Sequence, residues 1–271
     1  MKQLIGVLVF LSVLTNGISQ QYTKSKQVVF IHGAWSTGAV WDNYCNYFTN
    51  KGYECLLPDL KYHSNVKNKG LAGLSMEDYI AQIRDLLKEY EQAPVLVAHS
   101  MGCIVAQRLA TEGLVSQMVL LAPPVNYGMI PPPKSIQSVK WLNKESNLKS
   151  SLVKPTFEQA QQSLLYTLPV EVQKQIYADL SYESGLVMKE MIWIKNVFGP
   201  KPNKINYGRV NIPVLIIAGE KDLASPPQIS KKLAKKYKPQ STLKVYAGKA
   251  HWIMGDSKWE EVAEYITMWL P

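Results

Sequence analysis

The stretch Pro94-Val95-Leu96-Val97-Ala98-His99-Ser100-Met101-Gly102-Cys103-Ile104-Val105-Ala106 decides the fold. Its first part, Pro94 to Ala98, is a short apolar run with branched residues, the pattern of a strand buried on both faces. From Met101 to Thr111 the apolar residues recur at helical spacing. Between the two the chain must turn sharply, and it does so at a serine. A strand-to-helix turn of that kind has little room beside the serine, so small residues are needed on its flanks, here Ala98 and Gly102.

The same alternation continues on both sides. Strands are expected at Gln27 to Ile31, Glu54 to Leu57, Met118 to Leu121, Val214 to Ala218 and Leu243 to Tyr246. Helices are expected at Val40 to Tyr53, Ser75 to Tyr90, Ile229 to Tyr237 and Lys258 to Leu270, with Ser75 and Asp78 spaced as a capping box. Strands alternating with amphipathic helices predict an α/β fold with a mainly parallel sheet, whose functional residues lie beyond the carboxyl ends of the strands. The alternation breaks once. From Pro123 to Arg209 strand signals are weak, while Phe157 to Tyr166, Val170 to Tyr177 and Ser184 to Val197 have helical spacing. Because the alternation resumes immediately, residues 123–209 read as an inserted helical cap, and 20–122 with 210–271 as one core.

A serine hydroxyl is a weak nucleophile near neutral pH and needs a base to take its proton and an acid to orient that base. In this strand–turn–helix context both are expected after the serine, the acid before the histidine. Asp222, in Gly219-Glu220-Lys221-Asp222 after the Val214 strand, is the first choice of acid and Glu220 the reserve. His251 follows the last strand through Ala247-Gly248-Lys249-Ala250 and is the base. Two backbone amides would hold a developing oxyanion: that of Met101 at the helix start, and that of Ala34 in the loop His32-Gly33-Ala34-Trp35. Trp35 either packs or lines an acyl pocket, and Trp252 is a second candidate for substrate contact. His32 and His99 are expected to bond loop backbone near the serine, and His63, in the polar loop after Pro58-Asp59-Leu60, to face solvent.

With His32-Gly33, Ser100, Asp222 and His251 in this order from Gln27 to the C-terminus, the chain resembles the α/β-hydrolases. It is most similar to the esterase and lysophospholipase-like serine hydrolases with a helical cap, where G-H-S-M-G stands in place of Ala98-His99-Ser100-Met101-Gly102. The resemblance implies a compact six-stranded core flanked by helices. It also implies cleavage of a carboxylic ester through an acyl-enzyme, on a hydrophobic ester, lactone or lysophospholipid-like substrate, with no metal or organic cofactor. A transferase or lyase on the same scaffold, such as an acyltransferase, a perhydrolase or a hydroxynitrile lyase, is the competing reading. The lyases carry threonine at the position of Gly33 and lysine at that of Trp252, and both differ here. The loop Pro58-Asp59-Leu60-Lys61-Tyr62-His63-Ser64 also departs from the family's P-D-L-P-G-H-G.

Composition narrows the partners. The 271 residues are 46% hydrophobic and 19% charged, enough for a sizeable core. Thirty Lys and Arg against 21 Asp and Glu give a net charge of +9, but only Arg84, Arg108 and Arg209 are arginine. Lysine lacks the planar fork that reads base edges, which argues against nucleic acid. Lys231, Lys232, Lys235, Lys236 and Lys238 read as a solvated helix face. Ten lysines against six acidic residues between Pro123 and Tyr207 would steer anionic substrates and allow weak association with an anionic membrane surface. The expected partner is a small-molecule ester, with no obligate protein partner evident. Trp141, Phe157, Tyr166, Tyr177, Trp193 and Phe198 supply apolar surface within the insertion.

Cys45, Cys55 and Cys103 have no metal or thioredoxin spacing; Cys45 and Cys55 are the pair open to a disulfide, burial as small hydrophobes being the alternative. Met1 and Lys2, an apolar stretch from Leu4 to Leu14, and the small residues Gly17 and Ser19 read as a signal peptide over residues 1–19. Cleavage near Ser19 and Gln20, and a secreted or periplasmic protein, are expected.

Overall fold

The computed structural model describes residues 26–63, 67–145, 147–192 and 201–270. The expected signal peptide, Trp193, Phe198 and the end of the helix expected to reach Val197 lie outside these residues.

The strands are β1 (Gln27–Ile31), β2 (Glu54–Leu56), β3 (Val95–His99), β4 (Gln117–Leu121), β5 (Leu152–Val153), β6 (Glu183–Ser184), β7 (Val214–Gly219) and β8 (Ser241–Tyr246). Six of them form one sheet in the order β2-β1-β3-β4-β7-β8, and every neighbouring pair is parallel. Successive side chains leave a strand on opposite faces. Thus Val28, Phe30, Val95, Val97, Leu215 and Ile217 point into one core, and Val29, Ile31, Leu96, Ala98 and Ile216 into the other. Both faces are covered, which is why these strands read as unbroken apolar runs.

The helices are α1 (Asp42–Thr49), α2 (Met76–Lys88), α3 (Gly102–Ala110), α4 (Pro133–Ser138), α5 (Phe157–Ala160), α6 (Val170–Asp179), α7 (Gly185–Met191), α8 (Pro227–Lys236) and α9 (Trp259–Trp269). Tyr44 and Phe48 of α1 and Val262 and Ile266 of α9 fill the first core; Tyr79 and Ile83 of α2, Ile104 of α3 and Leu233 of α8 fill the second. In the first core Phe30 packs tilted against Trp41 and edge-on against Phe48, with ring centroids 5.3 and 5.2 Å away. At the start of α2 the Ser75 amide and hydroxyl both donate to Asp78, at 2.8 and 2.7 Å, and hold its carboxyl below the usual range.

Between β4 and β7 lie α4 to α7 and the strands β5 and β6; neither α4 nor the two strands were expected from the sequence. β5 and β6 pair antiparallel, Leu152 opposite Ser184 and Val153 opposite Glu183. Strands of two residues are too short for alternation to register. The helix expected over Phe157 to Tyr166 is α-helical to Ala160 and then makes a π-turn over Gln161–Leu165. Cys45 and Cys55 are free thiols, and burial raises that of Cys55 to about 12. Among the described residues no helix is long and apolar enough to cross a membrane.

Candidate active site

Ser100 follows β3 directly and has φ +48°, in the left-handed region that is strained for a residue with a Cβ. Its amide donates to Leu121 O at 2.9 Å, tying the turn to the end of β4. Two glycines let the neighbouring backbone close in. A Cβ on Gly102 would lie 2.6 Å from His32 O and 2.7 Å from Ile31 O, so the start of α3 rests on the end of β1. A Cβ on Gly33 would lie 2.9 Å from His99 Nδ1 and 3.0 Å from Ser100 Cβ. The loop after β1 is therefore laid against the serine turn, and Ala34 comes beside Ser100.

Three elements then deliver three side chains to one place. Ser100 Oγ lies 3.0 Å from His251 Nε2, and His251 Nδ1 lies 2.8 Å from Asp222 Oδ2. Asp222 and His251 are buried, at 2% and 5% exposure. A carboxylate only accepts, so Nδ1 carries the proton and Nε2 presents its lone pair to the Ser100 hydroxyl. The other Asp222 oxygen accepts the Ser225 amide at 2.8 Å. Ser225 escaped the sequence reading, because the bond comes from its backbone amide, which any residue but proline could supply. Glu220 is exposed and accepts the Gly248 amide at 3.1 Å, so it is not part of this chain of contacts. The histidine loop is fastened by Lys249, whose Nζ donates to Asp256 at 2.6 Å, and by His99, whose Nε2 donates to His251 O at 3.0 Å.

Ser100 and His251 open into a cavity of about 230 Å³, lined also by Ala34, Trp35, Val125, Ile136, Trp141, Leu164, Met188 and Met191. Its wall is mostly apolar and drawn largely from the segment between β4 and β7. Among the described residues neither the Ala34 amide nor the Met101 amide has a hydrogen-bond acceptor. Such an arrangement can deprotonate a hydroxyl as it attacks and offer two free N–H groups to the charge that develops.

Two expectations are corrected. Trp252 is not among the residues lining the cavity; its indole packs edge-on against His99, with ring centroids 6.1 Å apart, and covers Gly255. His63 does not face solvent. It is buried, with Nε2 2.9 Å from Glu183 Oε2 and Nδ1 3.2 Å from Leu60 O, because its loop folds beneath β6. Glu183 lies 120 residues away in sequence, beyond the reach of any local pattern. His32 donates from Nδ1 to Gly33 O at 2.8 Å and accepts the Leu60 amide on Nε2 at 3.0 Å. Burial and the nearby His63 lower its pKa to about 3, so it stays neutral.

Residues 28–265 match the sequence profile of the alpha/beta hydrolase family. The chain belongs to that family. This alpha/beta hydrolase is 32% identical over 75 residues to a pyrethroid hydrolase of Sphingobium wenxiniae, a stretch that is 28% of the chain and 27% of that protein. It spans only 27% to 29% of the length of the curated relatives it matches. Among solved structures, the monoacylglycerol lipase of Paleococcus ferrophilus superposes with a TM-score of 0.68 at 20% identity, over 92% of this chain and 95% of that one. A pyrethroid hydrolase from Sphingobium faniae superposes with a TM-score of 0.69 at 20% identity, over 90% and 96%.

Proposed function

We propose that this alpha/beta hydrolase cleaves carboxylic esters with an apolar acyl group through a covalent acyl-enzyme. The observation that carries the reading is the pair of hydrogen bonds, Ser100 Oγ to His251 Nε2 and His251 Nδ1 to Asp222, opening into an apolar cavity. Ser100 Oγ attacks the ester carbonyl while His251 Nε2 takes its proton; His251 then returns that proton to the leaving alcohol. Asp222 keeps the imidazole in the tautomer that can do this. The Ala34 and Met101 amides receive the oxyanion. In the second half, water replaces the hydroxyl in the same geometry and releases the acid.

The segment between β4 and β7 acts as a helical cap that roofs the acyl chain. Hydrophobic esters, lactones and lysophospholipid-like esters suit a wall of Trp35, Trp141, Leu164, Met188 and Met191. Relatives named as a monoacylglycerol lipase and as pyrethroid hydrolases support an ester as the substrate.

A fluorophosphonate probe is expected to label Ser100, and Ser100→Ala to abolish labelling and lower kcat by something on the order of 10⁶. A panel of p-nitrophenyl esters, lactones, thioesters and lysophospholipids then ranks substrates. Absence of labelling in the wild-type protein would overturn the proposal, and product transfer to an acceptor other than water would replace it with a transferase.

A further inference from the structure

The mechanism proposed above makes no use of the buried contact between His63 and Glu183. Both side chains have no solvent exposure. Each ring nitrogen of His63 faces an acceptor, Glu183 Oε2 on one side and Leu60 O on the other, so the ring satisfies both only with two protons. Glu183 supplies the opposite charge, and its other oxygen accepts the Tyr79 hydroxyl and the Ser184 amide, each at 2.7 Å.

The contact is connected to the reacting centre from two sides. Glu183 is paired with Val153 across β5 and β6. The Val153 carbonyl accepts the Trp35 indole N–H at 3.1 Å, and the Trp35 carbonyl accepts the Ser181 amide at 2.7 Å. Trp35, at φ +63°, is the residue after Ala34. On the other side the His63 ring packs on the ring of His32, with centroids 4.9 Å apart, and His32 grips Gly33 O, one residue before Ala34. Ala34 is thus suspended between two attachments, and both lead to the same buried pair.

We propose that the His63–Glu183 ion pair positions the Ala34 amide by clamping the β5–β6 ribbon to the loop after β1, and so sets one of the two oxyanion donors. The inference rests on the ester-hydrolase reading. His63 and Glu183 are positioning residues; neither touches substrate.

The pair is sensitive to pH in one direction. Burial opposes the charged ring, but Glu183 outweighs it and raises the pKa of His63 above the ordinary histidine value. The clamp is intact below that raised value and is lost as pH climbs through it, leaving the Glu183 charge buried without a counter-ion. Among the described residues the other titratable groups facing the pair are Tyr79 from α2 and His32 from the loop after β1, with Asp78 of α2 and Glu190 of α7 acting on Tyr79. Burial pushes Tyr79 upward and His32 down to about 3, so neither changes charge over the same range.

The test measures the rate of fluorophosphonate labelling of Ser100, and kcat for one p-nitrophenyl ester, across acid to alkaline pH. In the wild type both are expected to fall on the alkaline side, as His63 loses its proton. His63→Gln keeps a polar group but cannot titrate; it is expected to lower kcat about ten- to a hundredfold at its plateau and to erase the alkaline fall, with KM little changed. Tyr79→Phe removes a donor from Glu183, strengthens its hold on His63 and shifts the alkaline fall to higher pH; it carries the test if His63→Gln does not fold. An alkaline fall that survives His63→Gln, or that is unmoved by Tyr79→Phe, overturns the positioning role alone. Wild-type protein that labels at no pH overturns the hydrolase reading and this inference with it.

Discussion

His99 donates from Nε2 to the carbonyl of His251, and its Nδ1 has no partner. Burial and the neighbouring His251 push its pKa well below the usual value, so the ring is a neutral one-donor strut between the serine turn and the histidine loop. His99→Leu should leave that carbonyl bare and lower kcat roughly tenfold, while His99→Gln recovers part of the loss by restoring a donor. Steady-state kinetics on the two variants, with circular dichroism to check folding, decides this. At this scale the sequence is informative where a residue sits at the end of a strand. Ser100, Asp222 and His251 each follow one, so their order and context could be read. Trp252 could not be placed, since adjacency to His251 along the chain says nothing of the direction its ring takes. His63 could not either, because its partner arrives from a distant strand.

The contact between α3 and β1 shows how one element sets the site. Gly102 is the second residue after Ser100, and it is the absent side chain that lets α3 start against the Ile31 and His32 carbonyls. Gly102→Ala has backbone on both sides and cannot be relieved by a rotamer change. It should cost about 1 to 3 kcal/mol, read as a lower urea midpoint, and should also slow Ser100 labelling as the turn shifts. The six strands of the sheet were legible to within a residue or two: the inner strands β1, β3, β4 and β7 are buried and write continuous apolar runs, whereas the edge strands β2 and β8 are partly exposed and were marked by their place in the alternation. β5 and β6 were not, since a two-residue ribbon owes its pairing to Trp35 and Ser181 rather than to its own pattern.

For the whole molecule, the buried histidines set a pH window of stability. His32 and His99 are neutral when folded, with pKa values of about 3 and well below 6.5, whereas the unfolded chain takes up protons near 6.5. Their contribution is complete above that value and falls away as the solution becomes more acidic. His63 has the opposite sign: its contribution is complete below 6.5 and is lost as pH rises through its raised folded value. The urea midpoint should therefore decline on both sides of a maximum, and His63→Gln should flatten the alkaline side only. Titrating the midpoint against pH for the two proteins checks both limbs.

Ser100, held at φ +48°, has a cost in durability. Glycine takes that conformation without strain, so Ser100→Gly, inert as a hydrolase, should outlast its parent under denaturing conditions by about 1 kcal/mol. If so, the working protein is the more perishable of the two, and an inactive copy would be the better choice for long crystallisation trials or storage with a bound ester.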